Sequence, residues 1–337
     1  MMDTLYLDGP SVEAHLDNRC LLITNLDTGE KRKIPLFSLG RVVCIGRPRI
    51  TMPLLYEMMR QDITVVFLTG RGHWINSLAP TVNGNAARRL RQYEICGNHA
   101  LSFPLARALV DAKIHNMRRT LQRLAGARKA TKHPEHQKAV KFLATCRNHL
   151  SHAENHASLR GLEGAATSRY FSQLDQYLPA EMPFVFRSRR PPLNPVNALL
   201  SWAYAIVTAD VCDAIRRVDL DPALGFLHEP ELGRPSLALD LLEPLRAPLC
   251  DMLVMHLINH NVLSSDDFSN HGLTNGIRLQ KSAKRKFFEA YEKSIHRCFK
   301  ITKEKNHTCF KNVILWQAQK VCDFLKEGNA PSFFFMP

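Results

Sequence analysis

An α+β protein is what this sequence predicts, with a small β-rich unit at the N-terminus and a larger all-α unit after it. Three observations carry that reading. Over roughly the first eighty residues, short β-prone runs alternate with turn signals. From Ala86 onward, apolar residues recur at helical spacing almost to the end. Between the two regimes, Asn83-Gly84-Asn85 marks a break.

Thr4–Leu7, Arg19–Asn25 and Arg32–Leu36 read as strands, and Asp27-Thr28-Gly29 between the last two predicts a hairpin turn. Arg41–Ile45 (RVVCI) and Ile63–Leu68 (ITVVFL) read as buried strands. Between them Met52–Gln61 has helical spacing, with Thr51 as N-cap and Pro53 in the first turn. Gly70-Arg71-Gly72 is the turn into a last strand, His73–Leu78, and a lone Gly-x-Gly says little about phosphate. Ala86–Cys96 is a basic helix or linker, and Leu105–Leu124 a long amphipathic helix. The Gly126–Pro134 stretch ends it, and a further helix runs to about His152. Helices follow at Gly161–Leu174, Pro195–Val218, Ser236–Asn259, Ile277–Phe299 and Lys311–Lys326. The expected units are a β-sandwich-like dimerisation domain over 1–84, a connecting 85–104 and a catalytic helical domain over 105–337.

Composition narrows the function. With 45% hydrophobic and 23% charged residues, the chain can build a core and is not disordered. Lys and Arg number 45 against 31 Asp and Glu, a formal net charge of +14. That balance favours a polyanionic partner, nucleic acid foremost, although an acidic protein would also suit it. Nine cysteines without a Cys-x-x-Cys pair fit reduced thiols in a cytosol. Cys298, His307 and Cys309 match no usual zinc spacing. MMDTLYLDG lacks the basic and apolar regions of a secretion signal. No apolar run approaches the roughly twenty residues that span a bilayer. A cytoplasmic protein is expected.

Four residues could do chemistry. Glu163 stands among small residues that let a metal or ligand come close, although an ordinary helix-start glutamate fits as well. Asp240 and Glu243, three apart on a helix capped by Ser236, share a face and could reach one ion. Pro244 predicts a kink there. Leu237, Leu239, Leu241 and Leu242 crowd the pair, and burying carboxylates unpaired is costly. A solvated acidic face is the alternative. His228 lies in the loop before them. Oxygen ligands with one imidazole suit Mg²⁺ or Mn²⁺ better than structural zinc. Around them lie basic stretches: Lys113 to Arg147 has ten Lys or Arg and one acid, Glu135, and Arg187, Arg189 and Arg190 stand together. Arg278 to Lys303 has nine against Glu289 and Glu292. Several such stretches beside an acidic site suit a phosphate backbone.

GLEGAATSRYF, then FRSRRPPLNPVNALLSWAYAIV, then GFLHEPELGRPSLALDLLEPLR resemble, in that order, the CRISPR-associated endonuclease and integrase family Cas1. The β-rich start, VNGN with RRLRQY after it and GIRLQKSAKRKFFEAYEKSI fit too, so the resemblance covers roughly residues 4 to 300. It implies an N-terminal β-sandwich that makes a homodimer and a helical domain with the active site. It implies a metal site on Glu163, His228 and Glu243, with Asp240 as an accessory acid. Some relatives carry aspartate where Glu243 stands. The implied activity is Mg²⁺- or Mn²⁺-dependent phosphoryl transfer that inserts short duplexes of invading DNA into a CRISPR array as spacers. The implied partners are double-stranded DNA and a small protein, Cas2, that bridges two dimers.

Arg187, Arg189, Arg190, Lys281, Lys284 and Arg285 are the expected DNA contacts. Tyr170, Asn197 and Tyr204 belong to the matched motifs and serve either the site or packing. The tail PSFFFMP covers a core face or docks Cas2. Two other readings stay open: a metal-dependent DNase or recombinase unconnected with CRISPR, and a DNA-binding scaffold without catalysis.

Overall fold

The computed structural model describes residues 3–79, 84–129, 131–300 and 307–337, so Asn83 of the expected break lies outside the described residues. The N-terminal elements are β1 (Asp3–Asp8), β2 (Val12–Asp17), β3 (Cys20–Asn25), β4 (Lys31–Pro35), β5 (Leu39–Ile45), β6 (Arg49–Ile50), α1 (Met52–Arg60), β7 (Thr64–Leu68) and β8 (Trp74–Leu78). They form two four-stranded sheets, in the orders β1-β5-β7-β8 and β4-β3-β2-β6.

The continuous apolar runs of β5 and β7 have a physical reason: both faces of their sheet are covered. Val42, Cys44 and Val65 pack with Ala14 and Leu21 of the second sheet and with Leu54 and Met58 of α1. Val43, Ile45, Val66 and Leu68 turn the other way, into the helical core. β2 and β3 are antiparallel, with Asp17 opposite Cys20. The two residues between them, Asn18 and Arg19, take φ of 47° and 62°, as a tight two-residue hairpin turn requires. The expected hairpin at Asp27 joins antiparallel β3 and β4.

The helical part comprises α2 (Ala86–Cys96), α3 (His99–Ala127), α4 (Pro134–His149), α5 (His156–Phe171), α6 (Pro195–Arg217), α7 (Ser236–Leu245) and α8 (Met252–Asn259). It continues through β9 (Phe268–Asn270), α9 (Gly272–Asn275), β10 (Ile277–Leu279), α10 (Lys281–His296), β11 (Phe299–Lys300), β12 (His307–Thr308) and α11 (Phe310–Glu327). It is therefore not all-α: β9 with β10 and β11 with β12 make short antiparallel ribbons. α3 starts earlier than Leu105, because the Asn98 side chain accepts from Ala100 N and Leu101 N and caps it there. Pro104 then falls inside the helix. α6 corrects the reading of the apolar runs. It is long and apolar enough to span a bilayer by composition, yet 83% of its apolar window is buried inside the protein.

The sheet is keyed to the helices by buried charge. Arg41 of β5 pairs with Asp210 of α6, which also accepts from Tyr291 of α10 and, at 2.9 Å, from Lys311 of α11. Burial alone would raise the Asp210 carboxyl, but Arg41 and Lys311 outweigh it and hold it below the usual range. At the turn into β8, Gly72 has φ of 81° and its missing Cβ would sit 2.5 Å from the Trp202 ring. Only glycine lets the turn close on α6 there.

The C-terminal tail covers core. Phe333, Phe334 and Met336 are buried. Asn116 of α3 donates to Phe334 O (2.8 Å) and accepts from Met336 N (2.7 Å). Phe334 also packs edge-on against Phe310, centroids 5.6 Å apart. Truncating such a ring leaves a cavity. Phe334→Ala is expected to cost about 3–5 kcal/mol in denaturant unfolding, and a loss under about 1 kcal/mol would contradict this packing.

Candidate metal and nucleic-acid site

α7 reads SLALDLLEPL and buries every residue but Leu239, including Asp240 (0% exposed) and Glu243 (5%). Two carboxylates in such a place need partners. Asp240 finds four. Its Oδ2 accepts from Phe226 N (2.6 Å) and Leu227 N (2.9 Å). Its Oδ1 accepts from His228 N (3.0 Å) and lies 2.7 Å from His228 Nδ1. With all its acceptor positions filled, Asp240 has no lone pair to spare for a cation. It positions His228 instead, leaving the imidazole Nε2 to face Glu243 Oε1 at 4.0 Å. The loop wraps this closely because residue 225 is glycine, where a Cβ would meet His228 O at 2.5 Å and Asp240 Oδ2 at 2.9 Å.

Ser236 is the first residue of α7 rather than its cap, and its hydroxyl donates to Glu229 O at 3.0 Å. The expected disturbance at Pro244 is a π-helical turn, Arg246–Asp251, directly after α7. Pro248 cannot donate to the Pro244 carbonyl in the α-helical pattern. The Asn116 amide donates to that carbonyl at 2.6 Å. The same Asn116 holds the tail, so tail, α3 and the Pro244 backbone beside Glu243 meet at one side chain.

Glu163 comes from α5, whose start is set by a reciprocal cap between Asn155 and Ser158. Thr167 donates to Glu163 Oε1 at 2.8 Å. Between Glu163 and Glu243 stands Lys113 of α3, 5% exposed. Its Nζ pairs with Glu163 Oε1 and lies 2.6 Å from Glu243 Oε2. Arg246 Nε is 3.0 Å from the same Glu243 oxygen. Oε2 of Glu243 thus sits between two cations, Lys113 and Arg246. Burial pushes the Glu243 carboxyl up, but Arg246, Lys113 and His228 outweigh it and hold it at about 2. For His228, burial works downward and Asp240 and Glu243 work upward, and the pair of carboxylates wins.

Behind this set, Tyr204 OH (2.7 Å) and Tyr170 OH (2.9 Å) both donate to buried Asp251. Burial pushes the Asp251 carboxyl up to about 6, against the two tyrosines and Arg246. Arg246 stacks over the Tyr204 ring at 4.6 Å and Arg187 over the same ring at 5.4 Å. Arg187 also donates to Asn197 Oδ1 at 2.9 Å. Asn197 in turn donates to Phe186 O at 2.8 Å and pins the arginine segment. These motif residues thus build the site's support.

The expected DNA contacts divide. Arg189, Arg190, Lys281 and Lys284 line one cavity of about 450 Å³, together with Arg71 and Arg278. Asp8 pairs with Lys284 at its edge (3.0 Å), and among the described residues no carboxylate lines the cavity itself. Arg187 is turned inward, and Arg285 lies on an exposed helix face, paired with Glu289 at 2.8 Å. Lys113 was hidden in a basic stretch. Its signal was spacing, since Leu109, Lys113, Met117 and Leu121 follow one another every fourth residue on a buried stripe. Among the described residues, no three His, Cys, Asp or Glu side chains stand as a ready metal cluster. Glu163 and Glu243 face each other across Lys113. All nine cysteines are free thiols.

The sequence matches the family described as CRISPR associated protein Cas1 over residues 5–293. The chain belongs to the Cas1 family. The CRISPR-associated endonuclease Cas1 1 of Chlorobaculum tepidum is 36% identical over 300 residues, covering 86% of this chain and 85% of that relative. A Cas1 of Methanospirillum hungatei is 32% identical over 96% of this chain and 89% of its own length. Among solved structures, a chain of a Cas6-RT-Cas1–Cas2 complex is 25% identical with a TM-score of 0.81, and this chain spans 36% of that chain's length. A casposase bound to its integration product shares the fold at a TM-score of 0.87 and 20% identity, over 100% of this chain and 94% of that one.

Asp240→Asn replaces one of the two acceptor oxygens with a donor NH2 and should cost about 2–3 kcal/mol. It should also return the His228 pKa towards its ordinary value. Since His228 titrates above its unfolded value, the pair's stabilisation is whole below about pH 6.5 and is lost as pH rises through the folded value. Denaturation at several pH values and imidazole NMR titration check both: the variant flattens this pH dependence, and an unshifted His228 titration contradicts the assignment.

Proposed function

We propose that this chain is a divalent-metal-dependent DNA endonuclease and integrase that inserts short duplexes into a CRISPR array. One observation carries the reading: Glu163 and Glu243 face each other across the Lys113 cation, with the His228 imidazole turned to Glu243. The relatives' names as endonucleases and the fold shared with a casposase on its integration product support it.

Mg²⁺ or Mn²⁺ suits the donors, which are carboxylate oxygens with one imidazole nitrogen. Glu163 and Glu243 already draw one cation, the Lys113 ammonium, between them. Glu163, His228 and Glu243 would hold the ion. When bound, it supplies Lewis-acid stabilisation of charge developing on a phosphate. The protein does the rest. Asp240 keeps Nε2 of His228 turned inward, and Arg246 keeps Glu243 ionised. Arg189, Arg190, Arg278 and Lys281 hold the DNA backbone. A 3′-hydroxyl attacking a phosphodiester forms one P–O bond as another breaks, which joins strands. Water at the same place cleaves them.

The partner reading is a homodimer through the β-rich part, joined by Cas2. Met52, Tyr56 and Met59 are exposed on one stripe of α1, with Phe37 82% exposed nearby in sequence. Exposed apolar area of that kind suits an interface. The Cas1–Cas2 complex among the solved structures supports the second partner.

Glu163→Ala should lower joining of a spacer duplex to a repeat by roughly 100- to 1,000-fold, with duplex binding unchanged. Joining at the wild-type rate sinks the catalytic role, and cleavage without joining, even with Cas2 present, favours a plain DNase. Arg278→Ala should flatten the salt dependence of DNA binding by about one phosphate's worth, and an unchanged slope removes it from the DNA path.

A further inference from the structure

Lys113 is unlike the other lysines in its stretch. Its side chain is 7% exposed, and its ammonium pairs with two glutamates from different helices, Glu163 on α5 and Glu243 on α7. With Arg246 also on Glu243, two cations and two anions alternate in a line whose net charge is zero. Removing Lys113 would leave Glu163 and Glu243 as facing like charges, which is costly in a buried place.

Those same oxygens are the ones a divalent ion needs, and the Lys113 ammonium fills the space between them that the ion would take. Lysine is suited to give way. Its charge sits on a flexible four-carbon stem and makes point contacts, whereas an arginine fork would lock on both carboxylates. The line is also open on one side: the Glu163 side chain is 24% exposed while that of Glu243 is 5% exposed. The Glu163 side is therefore the way in for an ion and the way out for the amine.

We propose that Lys113 is an exchangeable internal cation, holding Glu163 and Glu243 together in the metal-free protein and leaving when a divalent ion takes its place. The proposal rests on the metal-dependent reading above and adds a competitor built into the same site. Metal binding then costs the breaking of two ion pairs, so the site's affinity is set by Lys113 as well as by its ligands. Without metal, the glutamates are kept neutralised and in register.

Calorimetry on the full chain tests this with Mn²⁺ as probe. Lys113→Met keeps the stem and removes the charge. It should bind Mn²⁺ about ten-fold more tightly than wild type. It should also melt lower in EDTA and recover more on adding Mn²⁺. The second measurement uses wild-type protein alone: amine acylation read by mass spectrometry should label Lys113 several-fold more in saturating Mg²⁺ than in EDTA. A Lys113→Met protein that binds Mn²⁺ no tighter than wild type overturns the proposal. So does a Lys113 that stays protected once metal is bound, and this arm decides if the variant fails to fold. If strand joining still requires metal in that case, only the exchange falls. If wild type neither binds Mn²⁺ nor needs metal for joining, the metal-dependent reading falls with it.

Discussion

Asp240 is a carboxylate with no solvent and four N–H groups, and the candidate site hangs from it. Because Phe226, Leu227 and His228 donate their backbone N–H groups to it, the loop before α7 has one arrangement. Because the imidazole Nδ1 is taken as well, Nε2 has one direction left. The burial that makes Asp240 expensive to leave unpaired also makes its hydrogen bonds strong. His228 is therefore turned to Glu243 by a carboxylate whose own bonds all go to the loop that carries His228.

Around that centre the protein keeps its charges apart by purpose. Glu243 is held ionised by Arg246 and Lys113 within a buried line, while Arg189, Arg190, Arg278 and Lys281 face a separate cavity. Tyr204 contacts both Arg187 and Arg246 through its ring and is tied to Asp251 through its hydroxyl. Anything that moves the arginine segment is thus coupled by contact to Glu243. The Arg41 and Asp210 pair holds the β-rich part against the same helices, so the turn at Gly72 forms a fixed wall of the cavity.

Where the sequence was legible, one physical pattern governed a whole element. The runs Val42–Ile45 of β5 and Val65–Leu68 of β7 are continuous and apolar because both faces of their sheet are covered, and α6 is largely apolar because it runs through the core. β2, VEAHLD, escaped notice because Ala14 is its one buried residue and the rest looks like loop. The start of α3 was hidden by Pro104, which usually opens helices, whereas the double cap from Asn98 prevails. The site was legible as residue types in order, Glu163, then His228, then Asp240 and Glu243. Its division of labour was not, because spacing cannot show that Asp240 spends every acceptor on its own loop. Lys113 and Arg187 were misread for a related reason: a cation in a sequence looks solvated until its partners from other helices are in place.

The most direct measurement of the central claim is anomalous diffraction from crystals of this protein soaked in Mn²⁺. The account predicts one peak between Glu163, His228 and Glu243, with Asp240 still bound to the Phe226–His228 backbone. An ion ligated by Asp240, or a peak away from those three side chains, would contradict it.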